Sequence, residues 1–589
     1  MKLQKMLAGC LVLAMVLAGC GTKADQQAAP AIPSYENATQ IVLSDNGITV
    51  DGAPVGTDPT AAVYTANDII YYEAGKDFLY GEGTQQDAHT PEEAAAHTVV
   101  HISKAGTYSL SGKLSLGQIA VDLGENAKKD PSAVVTLVLN GVDITCQVAP
   151  AVIFYNVYEC GSTDEATATK DVDTSAAGAN VIIANDTVNN VTGSYVAKIY
   201  KPESLVLNGD NTKVLESKKL HKYDAAFYSK RSMNIYGDTG VLNIQAENEG
   251  LDSELHLTLN GGQINIVSGN DGINTNEDNI SVTTINAGKL NIRVSGETGE
   301  GDGIDSNGWL VINGGTVIAQ ACASSADSGI DSDKGIHITG GTVIATGSML
   351  DEIESGGQTY AVFSFAQKQQ GGQTLTLKDA KGNATMEITP DNGYSILVFS
   401  SPSLEAGTYT LWSGSTQLAG SAGGAGGFGG MGGFGGGNFN PGQRPGSGDK
   451  PGQGGNRPEG TQRPEGVQIP EGIQLPEGAQ LPGRGQATSG TDSSAPQMPE
   501  GNFDWSNIPQ GDWGNMPEGG FDWSQMPQGD FDWSQMPQGG QGGQGGNRPG
   551  GNRPEGGDRG GATQSASSPE FVIQEGANRF SGITAYTAS

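Results

Sequence analysis

The stretch Leu257-Thr258-Leu259-Asn260-Gly261-Gly262-Gln263-Ile264-Asn265-Ile266 occurs in four versions along the chain. The others are Thr283-Thr284-Ile285-Asn286-Ala287-Gly288-Lys289-Leu290-Asn291-Ile292, Leu310-Val311-Ile312-Asn313-Gly314-Gly315-Thr316-Val317-Ile318-Ala319 and Ile336-His337-Ile338-Thr339-Gly340-Gly341-Thr342-Val343-Ile344-Ala345. Gly261, Ala287, Gly314 and Gly340 open the small pair in each copy, at steps of 26, 27 and 26 residues. Within a copy the apolar residues alternate, as in Leu257, Leu259, Ile264 and Ile266. A period of two means strands with one buried face. The small pair breaks each copy at a corner, where glycine tolerates unusual dihedrals. Short strands, fixed corners and a constant step describe the coils of a parallel β-helix, each burying its inner face on its neighbours. A β-sandwich would not place the same corner at the same point of four successive units. Weaker copies are Val134–Leu139 before Asn140-Gly141, Leu205–Leu207 before Asn208-Gly209, and Val241–Ile244.

A second motif rides on the repeat. It reads Asn248-Glu249-Gly250-Leu251-Asp252-Ser253, then Asn270-Asp271-Gly272-Ile273-Asn274-Thr275-Asn276. It returns as Gly301-Asp302-Gly303-Ile304-Asp305-Ser306-Asn307 and Ala326-Asp327-Ser328-Gly329-Ile330-Asp331-Ser332-Asp333. Asp252, Asp305 and Asp331 each stand nine residues before the small pair, whereas Asn274 stands thirteen before Ala287, an insertion around Glu277–Ile280. Stacked in register, such carboxylates approach to roughly 5 Å and repel by about 3 kcal/mol at an effective dielectric of ~20. One copy is explained by Asp and Asn hydrogen-bonding a tight turn. Four copies in register call for a cation, and Ca²⁺ takes 6–8 oxygens of the kinds present here. The candidate ligands are Asp252, Asp271, Asn274, Asp302, Asp305, Asp327, Asp331 and Asp333. By phase, Trp309, Lys289 and Arg293 face outward and are candidates for contact with a glycan, Trp309 by stacking on a sugar ring; covering a loop or keeping the surface soluble accounts for them equally.

The segments Gly106–Gly112, Gly117–Asp122, Val135–Ile144 and Ala226–Ile235, with the Asp-Gly-Ile-Asp-Ser ladder, resemble a bacterial calcium-containing carbohydrate-binding family of parallel β-helices. The resemblance spans roughly residues 60–415. It implies a right-handed solenoid of pectate-lyase-like fold, holding Ca²⁺ and binding cellulose or pectin-like polygalacturonate without catalysis. It carries a metal role to Asp252, Asp271, Asp302, Asp305, Asp327 and Asp331; Asn274 departs from the pattern. Two other functions fit the same residues. A polysaccharide lyase would use Lys289 or Arg293 as base beside a Ca²⁺-bound uronate. A surface adhesin would recognise protein and use the repeat as a spacer.

Composition agrees with this class. Of 589 residues, 91 are Gly, about double the usual ~7% share. Acids outnumber bases 65 to 32, for a net charge of −33, which argues against nucleic acid, whose binders carry basic patches. The chain begins Met1-Lys2-Leu3-Gln4-Lys5, runs apolar, and leaves at Leu17-Ala18-Gly19-Cys20. That reads as an export signal over 1–19, with a lipobox that makes Cys20 the diacylated N-terminus and anchors the protein at the extracellular face of a bacterial membrane. Residues 20–40 are a tether, and 41–419 the β-helix. From 420 to 569 the chain turns to Gly, Pro-Glu-Gly hexads and Phe-Asp-Trp repeats, a composition that builds no core and reads as disordered. Phe571-Val572-Ile573, Phe580, Ile583 and Tyr586 then bring strand character back, and residues 570–589 are expected to return to the β-rich region near Tyr409–Trp412. Cys146, Cys160 and Cys322 have no metal spacing and read as buried or free thiols, with a Cys146–Cys160 disulfide permitted outside the cell.

Overall fold

Alternation of β-branched and aliphatic residues with Asn, Thr and Gln makes extended backbone. The computed structural model accordingly is all-β over the residues it describes, 30–423 and 567–587. The export segment with Cys20, and nearly all of the Gly/Pro tract, lie outside the described residues, which belong to one compact unit. The single α-helical turn among them, Pro91–Ala95, is held by a reciprocal cap between Thr90 and Glu93.

The repeats stack residue on residue. Strand His256–Ser268 pairs in parallel with Val282–Val294. The latter pairs with Trp309–Ile312 and Thr316–Gln320, and these with Ile336–Ile338 and Thr342–Gly347. Ile264, Leu290, Val317 and Val343 form one column, each no more than 3% exposed. Burying such a side chain contributes about 1.5–3 kcal/mol. On the corner, Asn286 donates to Asn260 at 2.9 Å and accepts from Asn313 at 2.9 Å.

The pairing as a whole corrects the expected right-handed parallel β-helix. Six parallel strands close into a barrel. Val135–Cys146 pairs with both Ala179–Ile183 and Val188–Gly193. These pair with Met233–Gly237 and Val241–Ala246, which both end on His256–Ser268. The cause lies in the long strands. Gly261 and Gly262, at φ +147° and +85°, let His256–Ser268 bend and continue, so each half takes a different partner. Gly314-Gly315 and Gly340-Gly341 do separate two strands. Glycine permits both outcomes, and neighbouring side chains decide. Antiparallel pairs flank the barrel. Thr39–Leu43 turns back on Thr49–Val50, and Thr342–Gly347 meets Tyr394–Ser400 head to tail.

A second sheet of eight strands carries the acidic motif. Its order is Val63–Ala66, Thr98–Ile102, Gly117–Asp122, Val152–Asn156, Ala225–Ser229, Glu249–Ser253, Ile273–Thr275 and Ile304–Ser306. All pairs but the first are parallel. One face presents Val100, Ile119, Val152, Phe227, Leu251, Ile273 and Ile304 to the core, all fully buried.

The C-terminal segment packs into a separate aromatic core. Phe571–Ile573 pairs with Gly407–Ser413, and Ala577–Ala585 pairs with both Tyr360–Gln369 and Thr416–Ala422. Phe363 meets Phe571 edge-on at 5.3 Å and stacks on Phe580 at 5.2 Å between centroids.

Candidate functional site

The eight-stranded sheet turns a sequence motif into two rows of buried acids. Its register sets Tyr228 beside Asp252, Asp252 beside Asn274 and Asn274 beside Asp305. A bridge from Ile304 to Ile330 brings Asp331 alongside Asp305. Three residues upstream, Glu249, Asp271 and Asp302 align in the same way, because Gly250 N donates to Asp271 O and Gly272 N to Asp302 O, both at 3.0 Å. The glycine between the rows is a packing requirement. A Cβ on Gly250 would sit 2.4 Å from Ile266 Cγ2, and one on Gly272 would sit 2.2 Å from Ile292 Cγ2. The motif therefore reads acid, Gly against the core, apolar residue into the core, acid.

Asp252, Asp271, Asn274, Asp302, Asp305 and Asp331 are all buried. Some of their oxygens are satisfied by the chain. Asp302 N donates to Asp271 Oδ1 at 2.6 Å, and Ser328 N to Asp302 Oδ1 at 2.5 Å. Asn276 Nδ2 bridges both oxygens of Asp252, at 2.8 and 3.0 Å. Asn274 Nδ2 donates to Glu249 Oε1 at 3.2 Å. Glu249 Oε2 and Asn274 Oδ1 are among the buried oxygens that find no hydrogen-bond partner. An unsatisfied buried polar atom costs roughly 1–3 kcal/mol.

The electrostatics point the same way. Burial, and then Glu249, push the Asp252 carboxyl well above its usual range. Burial leads for Asp271 and Asp302 too, followed by Asp305 and Asp331 respectively. Glu249 is pushed up to about 8 by burial and by Asp224. Burial also raises Asp224, against the opposing pull of Lys222 Nζ at 2.9 Å. With no added cation, the shift of Glu249 favours its protonated form at neutral pH.

One group has the shape of a metal centre. Carboxylate oxygens of Asp224, Glu249 and Asp252 all lie within 4.8 Å of one another. Glu249, whose Oε2 has no hydrogen-bond partner, belongs to this group, and Asn274 lies on the next strand. A hard, oxygen-only donor set of this kind is able to hold a metal ion. Reading the motifs identified Asp252 but not Asp224 or Glu249. Glu249 was visible as the residue in the place of Asp271 and Asp302. Asp224 required carrying the repeat one unit upstream, where Ala225 pairs with Glu249 but Tyr228 replaces the second acid.

The other candidates are dispersed. Asp327 is half-buried and accepts from Gly301 N at 2.6 Å, while Asp333 is exposed. Lys289 is exposed and Arg293 half-buried on the Val282–Val294 ladder, outside the acid-bearing sheet. Trp309 is half-buried at a strand start, with its carbonyl accepting from Ser306 Oγ. Cys146, Cys160 and Cys322 are free, so no Cys146–Cys160 bridge forms. Among the described residues no helix is long and apolar enough to cross a membrane.

The fold and this centre define an all-β protein with a buried, metal-competent acidic core. Residues 96–422, more than half of the 589, match the family described as carbohydrate-binding domain-containing protein, and the chain belongs to that family. No curated protein matches it. A solved structure described as a polysaccharide lyase-like protein from C. thermocellum, a gadolinium derivative, aligns with 53% of this chain and 91% of its own at 18% identity and a TM-score of 0.31. A likeness of that size carries no argument about fold or activity.

Proposed function

We propose that this protein binds plant-wall polysaccharide at the cell surface without altering it, and that Ca²⁺ in the acidic rows is part of the binding-competent state. The family supports the carbohydrate partner. The observation that carries the cation is the buried set of Asp224, Glu249 and Asp252 with its unpartnered Glu249 Oε2. Asp271, Asn274, Asp302, Asp305 and Asp331 extend the same donors along the sheet. Asp224, Glu249 and Asp252 would hold the Ca²⁺, whose positive charge would offset the repulsion among these carboxylates. Export and diacylation at Cys20 complete the reading and place the glycan-binding unit outside the cell.

Placement weighs against the lyase alternative. Lys289 and Arg293, the bases it required, stand on a ladder other than the sheet that bears the acids. The test is metal analysis of the purified protein together with retention on insoluble polygalacturonate and cellulose. Protein that carries Ca²⁺ and is retained, with no unsaturated product absorbing in the ultraviolet, supports the proposal. Protein that carries no divalent cation, or is retained on neither polymer, contradicts it.

A further inference from the structure

Just past the strand Ala225–Ser229 the chain forms a recess of about 130 Å³ whose lining includes Glu159, Thr163, Lys230, Arg231, Glu254 and Glu277. Its charges are unevenly used. Glu254 is held by Lys219 Nζ, 2.6 Å from each oxygen, and by the Tyr228 hydroxyl. Glu159 accepts from Ser232 N at 2.8 Å, Ser232 Oγ at 2.7 Å and Gly161 N at 2.7 Å. Glu277 is exposed at the rim. The two cations are different. Neither Lys230 nor Arg231 takes part in an ion pair among the described residues. Arg231 Nε is buried without a partner. Lys230 Nζ instead lies over two aromatic faces, 5.6 Å from the Tyr223 centroid and 5.9 Å from that of Tyr155.

The backbone that carries these cations is also held in place. Arg231 N donates to Ser229 Oγ at 3.2 Å, and its carbonyl accepts from Ser229 Oγ at 2.6 Å and Ser253 Oγ at 3.1 Å. Lys230 N donates to Phe154 O at 2.9 Å. A partly desolvated guanidinium with a buried, unpartnered Nε is costly, and its planar fork matches a carboxylate. In a chain of net charge −33, two adjacent cations that form no ion pair although three glutamates line the same recess mark a local exception.

We propose that this recess is a metal-independent binding site for the carboxylate of an acidic sugar, with Arg231 and Lys230 as its two contacts. The proposal rests on the reading of the protein as a polysaccharide binder. It adds a site outside the acidic rows that needs no cation. A neutral sugar would leave both charges as they are. An anion pairs them, and the faces of Tyr155 and Tyr223 hold the ammonium where a carboxylate can reach it.

The experiment is calorimetric titration of the full chain with trigalacturonate and with its fully methyl-esterified form, in calcium and again in chelator, with folding followed by circular dichroism. The expected result is at least tenfold tighter binding of the acid than of the ester, unchanged by chelator while the protein stays folded. Arg231→Gln should remove that preference without weakening the ester. Equal affinity for acid and ester, or an equal loss of both in Arg231→Gln, overturns the site. If the trisaccharides fail to bind while insoluble polysaccharide still retains the protein, the recess is wrong and the wider function stands. If the polymers do not retain it either, both fail.

Discussion

Asn274 Nδ2 donates to Glu249 Oε1 at 3.2 Å, and Glu249 Oε2 and Asn274 Oδ1 are both buried without a hydrogen-bond partner. One hydrogen bond thus ties Glu249, which groups with Asp224 and Asp252, to Asn274, the strand neighbour of Asp252. Buried oxygens without hydrogen-bond partners are costly, and the acidic group beside them is suited to a cation.

Removing one carboxylate of the group should separate binding from folding. Asp252→Asn keeps the volume and still meets Asn276, but gives the ion one charge fewer. The expected outcome is Ca²⁺ affinity at least tenfold weaker by calorimetry, with the far-ultraviolet spectrum retained.

The pH dependence of the cation-free protein has a definite sign. Glu249 has its folded value raised from 4.5 to about 8, and Asp252, Asp271 and Asp302 are raised as well. Between the ordinary carboxylate range and about pH 8 the folded state holds more protons than the unfolded chain. Stability therefore falls as pH rises through that window, by up to about 1.4 kcal/mol per pH unit for each such group. Melting in chelator should drop from pH 5 to pH 8, and added Ca²⁺ should reverse the drop. Melting that rises over this range in chelator would contradict the assigned burial.

The glycine between the acid rows is testable by packing alone. Gly272→Ala places a methyl 2.2 Å from Ile292 Cγ2 and 2.6 Å from Gly303 O. Overpacking of this kind costs about 1–3 kcal/mol. Chemical denaturation should show that loss.

Much of this core was legible in the sequence, for a physical reason. Repeating apolar residues must face one another to be buried, so Ile264, Leu290, Val317 and Val343 could be aligned before their strands were seen to pair. The acids of the recurring motif sit in the same sheet because the intervening Gly and apolar residue are locked to the core. Closure was not legible. Whether Gly261-Gly262 ends a strand or bends it depends on contacts from Ile183 and Gly237, distant in sequence, and that choice makes a barrel. Asp224 escaped notice because the unit that holds it lacks the Asp-Gly-Ile-Asp form.

The C-terminal return should matter as much as any central strand. Phe571 is 1% exposed and packs edge-on against Phe363 and Phe580. Phe571→Ala should cost about 3–5 kcal/mol. Proteolysis should then release the segment after residue 567, whereas the wild-type chain should keep it attached through Gly407–Ser413.

The most direct measurement is retention on polygalacturonate while Ca²⁺ is titrated back into chelated, folded protein. Retention that rises with occupancy of the Asp224, Glu249 and Asp252 centre, and fails to rise in Asp252→Asn, is the expected result. Full retention in chelator, unchanged as the cation is added, would contradict the role given to the acidic rows.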